Sequence, residues 1–131
     1  MKSTSVWTGG YKSKVDNGRG HEAVVDLPQN QGGDDVGATA LELALMGLSG
    51  CITTIFVLIA QKSRLEFEAL EAEINATKGE RTIETAEVII KIKTSDPKKA
   101  DRVLNQTLET CPVGILFADA GVKISHKLIV E

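Results

Sequence analysis

The stretch LALMGLSGCITTIFVLIAQ, residues 43–61, decides the fold. Its 19 residues carry no charge between Glu42 and Lys62, a length close to the roughly 20 apolar residues that cross a bilayer. Two environments accommodate such a run: lipid, or a globular core that buries a helix on all sides. Gly47, Ser49, Gly50, Cys51, Thr53, Thr54 and Gln61 dilute its apolar character, and amphipathic strands beside it need a core to cover. The buried helix is therefore expected, with no membrane role. Ala44, Gly47, Gly50 and Cys51 are small enough to let another backbone approach closely. A helix apolar all round needs cover all round, and one small sheet supplies only one side, so an obligate homodimer is expected.

Working outward, the period changes from helical to two after Arg64. Leu70, Ala72, Ile74 and Ala76 alternate with Glu71, Glu73, Asn75 and Thr77, and Lys78-Gly79-Glu80-Arg81 reads as a hairpin. Ala86, Val88, Ile90 and Ile92 then alternate with Glu87, Ile89, Lys91 and Lys93. Each strand has one buried and one wet face, as antiparallel sheets allow. Asp96-Pro97 opens a helix, with Asp as N-cap and Pro at the first helical position. Ala100, Val103, Leu104, Thr107 and Leu108 follow at helical spacing. Pro112 disfavours helical backbone at Cys111 and restarts a helix, which Gly121 ends as a natural C′ residue. Val122, Ile124, His126, Leu128 and Val130 form a last alternating strand.

Upstream, residues 1–10 form an edge strand with Val6 and Trp7. Tyr11–Gly20 is turn-rich, with a hairpin signal at Asn17-Gly18, and His21–Leu27 is a strand. Pro28–Gly37 is a polar loop leading to a helix start near Thr39. The element order is βββ-α-ββ-α-α-β: an α+β fold with an antiparallel β-sheet wrapped around a long buried central helix, in a single domain spanning 1–131.

Composition narrows the function. At 42% hydrophobic and 25% charged, the 131-residue chain is an ordinary globular one. Its net charge of −3 argues against a nucleic-acid partner, which needs a basic footprint. Aromatics amount to 4%, too few for stacking platforms. Met1–Gly10 has no apolar run, so a cytoplasmic location is expected and a structural disulfide is not. Cys51 and Cys111 are then either inert core residues or redox groups. Cys111 sits at an expected helix N-terminus, where free N–H groups and the dipole favour a thiolate. Cys51 lies about three turns into its helix and would need a nearby cation.

Three sets of residues resemble one family. Gly37-Ala-Thr-Ala-Leu-Glu-Leu-Ala-Leu-Met-Gly-Leu-Ser-Gly-Cys51 is similar to the central-helix motif of the OsmC/Ohr family (osmotically inducible protein C and organic hydroperoxide resistance protein). Thr110-Cys111-Pro112-Val113, followed by Gly121-Val122-Lys123-Ile124, resembles its second cysteine motif, and Asn17-Gly18-Arg19-Gly20-His21 its glycine-arginine loop. The resemblance runs nearly end to end. It implies an intertwined homodimer and a thiol-dependent peroxidase that reduces organic hydroperoxides in oxidative-stress defence. Cys51 would be the peroxidatic cysteine, Cys111 the resolving one, and Arg19 the cation that holds the Cys51 thiolate and orients the peroxide. An external dithiol, in this family often of the lipoyl type, would reduce the resulting disulfide; no cofactor is implied. Leu41 stands where the best-characterised peroxidases of the family carry a glutamate paired to the arginine. Glu42, beside it, is either that partner or a first-turn acid favoured by the helix dipole.

Leu48, Ile52 and Ile55 near Cys51 would favour an alkyl hydroperoxide. His21 and His126 lie at no metal-ligand spacing with each other or the cysteines. The Glu66, Glu68, Glu71 and Glu73 cluster reads as a wet sheet face. Two other functions remain open to the residues: a non-catalytic module binding a small apolar ligand, and a hot-dog-like thioesterase with Glu42 as its carboxylate.

Overall fold

The computed structural model describes all residues, 1–131, and divides into two compact units, Met1–Met46 and Gly47–Glu131. The first unit holds an antiparallel sheet, β1 (Thr4–Gly9), β2 (Lys12–Asp16) and β3 (Glu22–Val25), in that order. β2 falls inside the stretch expected to be turns. It carries one apolar residue, Val15, so no burial pattern marks it. Backbone ladders on both sides hold it instead, with Val15 opposite Ser5 and Ala23. The β2–β3 connection closes as the Asn17-Gly18 signal implies, with Gly18 and Gly20 at positive φ (77° and 89°).

Asp26 is the one side chain of this unit that is buried, at 1% exposure. Its carboxylate accepts from the backbone N–H groups of Leu27 (2.8 Å), Asp34 (3.2 Å) and Val36 (3.2 Å), and this folds loop 27–37 around it. Lys12 pairs with Asp34 across the same loop. Gly33 and Gly37 are required by close approach: a Cβ would run into the backbone of Leu27 and Val24 respectively. Val6, Trp7, Tyr11 and Val36 of this unit are exposed.

Helix α1 (Ala40–Ser63) starts on a reciprocal cap. The Glu42 N–H donates to Thr39 Oγ1 (3.1 Å) and the Thr39 N–H donates to Glu42 Oε1 (3.0 Å), satisfying two otherwise orphaned donors. From Gly47 onward α1 belongs to the second unit, with β4 (Ala69–Lys78), β5 (Ile83–Lys93), α2 (Pro97–Thr110), α3 (Pro112–Asp119) and β6 (Lys123–Val130). The sheet order is β4-β5-β6. β4 and β5 pair antiparallel with their apolar sets in register, Leu70 opposite Ile92 and Ile74 opposite Val88. β5 and β6 pair parallel, Ala86 against Ile124 and Ile90 against Leu128. This corrects the expectation of a single, wholly antiparallel sheet: there are two sheets. In the second, α2 and α3 form the crossover that returns the chain beside β5 in the same direction.

The helix punctuation is as expected. Asp96 caps α2 by accepting from the Lys99 N–H at 3.0 Å. After α3, Gly121 takes φ +93°. The Gly121 N–H reaches Ala118 O and the Val122 N–H reaches Phe117 O, each at 3.0 Å, a Schellman closure.

One stripe of α1, Leu48, Ile52, Phe56 and Ala60, is buried, and it packs with Val88, Ile90 and Ile92 of β5 and Ala100, Val103 and Leu104 of α2. Each fully buried Leu, Ile or Phe contributes about 1.5–3 kcal/mol. Phe56 meets Phe67 edge-on, centroids 6.1 Å apart. Met46 and Leu58 on other faces of the helix are exposed. The helix is thus covered along one stripe within the protomer, not on all sides, because one small sheet and its helices present one face to it. The opposite face of the second sheet is wet: Lys91 pairs with Glu71 (3.3 Å) and Glu73 (3.6 Å), and Lys93 with Glu68 (2.7 Å).

Candidate functional site: a buried thiol beside a half-buried one

Cys51 immediately precedes Ile52 of the buried stripe, so it lies about 100° round the helix from it and is half-buried. Cys111 occupies the junction of α2 and α3. Pro112 holds it out of helical backbone, at φ −65° and ψ 114°. It closes one helix and opens the next: its N–H donates to Thr107 O at 2.8 Å, and its C=O accepts from the Ile115 N–H at 2.9 Å. No part of Cys111 is exposed.

The two sulfurs lie 2.8 Å apart, with the Cys111 thiol donating to Cys51 Sγ. Both cysteines are free; closing to a disulfide bond of about 2.05 Å requires movement of under ~1 Å. Cys111 Sγ also accepts from the Gly114 N–H at 3.4 Å, so the α3 N-terminus does address the sulfur. That contact, which taken alone favours a thiolate, does not make Cys111 one. Burial, first, and the hydrogen bond to Cys51 push its pKa up from 9.0 to about 11, outweighing the N–H groups of Gly114 and Val113. Cys111 is the proton holder of the pair, and Cys51 the acceptor. Neither the Gly114 donor nor the burial of Cys111 was evident from sequence; Pro112, which sets the backbone there, was the only signal.

A cavity of about 370 Å³ adjoins Cys111 but not Cys51, lined in part by Leu48, Ile52, Cys111, Ile115, Ile124 and His126. A larger cleft of about 760 Å³, lined by Gln61, Phe67 and Lys93 among others, includes neither cysteine. Ile55 is partly buried against the same core as Cys51.

The remaining site residues named from sequence lie in the first unit. Arg19 is exposed in the β2–β3 loop, where its backbone N–H donates to Asn17 Oδ1 at 2.9 Å. Glu42 is engaged in the helix cap, and its bonds with the Thr39 N–H and hydroxyl hold its carboxyl below the usual value. His21 Nδ1 lies 2.9 Å from Asn17 Nδ2.

The family model for OsmC-like protein matches residues 32–127. No curated protein matches the sequence. Among solved structures, an OsmC-like protein from Mycoplasma pneumoniae superposes with a TM-score of 0.86 at 14% identity, covering 98% of this chain and 95% of that one. An organic hydroperoxide resistance protein from Elizabethkingia anophelis gives 0.76 at 18% identity, over 98% and 94% of the two chains. The organic hydroperoxide resistance protein OhrB of Bacillus subtilis gives 0.65 at 19% identity, over 97% and 96%. These identities bear on the fold alone. The family match, which covers both cysteine motifs, shows that the chain belongs to the OsmC-like protein family.

Proposed function

We propose that the chain is a thiol-dependent peroxidase that reduces organic hydroperoxides to alcohols. The observation that carries this is the 2.8 Å approach of two free thiols of unequal exposure. The Cys51 thiolate attacks the distal oxygen of ROOH; the O–O bond breaks, the alkoxide takes a proton and leaves as alcohol, and Cys51 becomes a sulfenic acid. Cys111, already in contact, attacks the sulfenic sulfur, and hydroxide leaves as water once it has a proton. The product is a Cys51–Cys111 disulfide. An external dithiol, of lipoyl type or similar, then restores both thiols by exchange, as suits a reducing cytoplasm. The resemblance assigns Arg19 the positive charge that would hold Cys51 as thiolate, and Glu42 serves to seal the start of α1. The family match across the boundary at residues 46 and 47 supports one OsmC-like domain.

The active form in this proposal is an intertwined homodimer. The first unit buries no apolar side chain, although Val6, Trp7, Tyr11 and Val36 are available, and a segment of about 40 residues does not fold stably without such burial or a partner. Faces of α1 bearing Met46 and Leu58 are likewise open. Light scattering is expected to show two chains per particle; a monodisperse monomer would overturn the dimer.

The activity test is consumption of cumene hydroperoxide with dithiothreitol or dihydrolipoamide, compared with hydrogen peroxide. Wild-type turnover and its loss in Cys51→Ser are expected. Undiminished turnover in Cys51→Ser refutes the peroxidase, and equal efficiency on both peroxides refutes the preference for alkyl substrates. A second function, non-catalytic binding of a small apolar ligand, has one observation in its favour, the 370 Å³ cavity. It predicts a ligand that copurifies and is retained in Cys51→Ser.

A further inference from the structure

The two sulfurs of the disulfide would not be equivalent toward a reductant. Within the single protomer Cys111 has no exposed surface, while Cys51 keeps part of its surface open. Thiol exchange needs the incoming sulfur in line with the bond it breaks, so the attacked sulfur must be reachable from the side opposite its partner. We propose that an external thiol reopens the disulfide by attacking Cys51, with Cys111 as the leaving sulfur. The inference rests on the Cys51–Cys111 disulfide of the proposed cycle.

The step balances. A thiolate RS⁻ forms a bond to Cys51 Sγ, the Sγ–Sγ bond breaks, and its electron pair leaves on Cys111, which takes up a proton. The second thiol of a dithiol reductant then attacks its own sulfur in the mixed disulfide, closes a cyclic disulfide and releases Cys51. The Gly114 N–H, at 3.4 Å from Cys111 Sγ, is positioned to receive the negative charge as it develops there.

One effect opposes this order. Lower-pKa thiols leave faster, and the rise from 9.0 to about 11 makes Cys111 the poorer leaving group. With a Brønsted sensitivity near 0.5, two pKa units cost about tenfold in rate. Part of that rise comes from Cys51 itself and vanishes once Cys51 is held in a mixed disulfide. Burial is the larger obstacle, because it leaves Cys111 no surface that a thiol can reach without first entering the cavity beside it. The competing route is the 370 Å³ cavity, which reaches Cys111 alongside Leu48, Gly114 and Ile115: a thiol that entered there would meet Cys111 first.

The test begins with oxidation of the full-length protein by diamide, which needs no peroxidase activity. A large excess of glutathione is added briefly, the reaction is quenched in acid, and free thiols are capped with N-ethylmaleimide before peptide mapping. Glutathione on Cys51 and maleimide on Cys111 are expected; the reverse labelling, an even mixture or failure to form the disulfide overturns the proposal. A second measurement compares single-cysteine proteins. Cys111→Ala is expected to react with Ellman's reagent at least tenfold faster than Cys51→Ala, and equal rates overturn it. If the labelling is as expected but hydroperoxide is not consumed, the peroxidase fails while the order of attack stands.

Discussion

Raising the pH of the reduced protein tests how tightly Cys111 holds its proton. Cys111 is pushed from 9.0 to about 11, first by burial and then by donating its proton to Cys51. At pH 9 about half of an ordinary thiol is ionised, whereas a two-unit rise leaves about 1% of Cys111 as thiolate. Protein carrying ¹³C-labelled cysteine lets each Cβ shift be followed between pH 6 and 12. The upper step, which belongs to the coupled pair, should have its midpoint near 11. Cys51→Ala removes both contributions that come from Cys51, so the Cys111 midpoint is expected to fall. The sign for stability follows from linkage. The folded state holds this proton more tightly than the unfolded chain, so the contribution is fully present below pH 9 and is lost as pH rises toward 11. Cys111→Ala should remove that part of the alkaline loss in a denaturant titration. A midpoint for Cys111 at or below 9 would refute the claim that burial outweighs the helix terminus.

Four further expectations concern the frame. Phe56 has no exposed surface, so Phe56→Ala should cost about 3–5 kcal/mol in denaturant unfolding through transfer and cavity terms. Thr39→Ala removes one half of the α1 cap and should cost about 1 kcal/mol. Glu42→Gln keeps an acceptor for the Thr39 N–H and should leave hydroperoxide turnover within about twofold, since glutamine serves the capping box as glutamate does; a collapse of turnover would make Glu42 more than a cap. At Asp26 burial opposes the charge, but the N–H groups of Leu27, Val36 and Asp34 and the nearby Lys12 outweigh it and hold the carboxyl below its ordinary 3.8. Its stabilisation is present above that value and is lost as pH falls through the depressed folded one. Amides 34 and 36 should therefore lose hydrogen-exchange protection at acid pH, and Asp26→Asn should show the loss already at neutral pH.

The parts of the fold that could be read from the chain are those set by local chemistry. β4 and β5 announce themselves because one face is buried and the other wet, and a one-residue slip would invert both. Asp96-Pro97, Cys111-Pro112 and Gly121 mark helix ends because each fixes backbone angles or supplies a missing partner. The Thr39-x-x-Glu42 cap was equally local; its spacing was there to be read, and the structure shows both reciprocal bonds. Pairings were not legible. β6 alternates in the same way whether it runs with β5 or against it, and the crossover through α2 and α3 sets its direction. β2 was counted in the element order but could not be placed, because its ladder is backbone and its side chains are mostly polar. The uniform apolarity of α1 gives no sign of which stripe the protomer covers and which it leaves open.

The same division explains the site. Sequence placed Cys51 within a helix and Cys111 at a helix start, but only packing could bring sulfurs 60 residues apart to 2.8 Å. It left Cys111 between an inert core residue and a redox group, because the N–H donors of a helix start are a local feature and burial is a global one. The Gly114 contact exists, yet desolvation decides the charge. Burial keeps a proton between the sulfurs and gives each one task. In the proposed cycle the open sulfur meets the peroxide, and the enclosed one is held back until its partner has been oxidised.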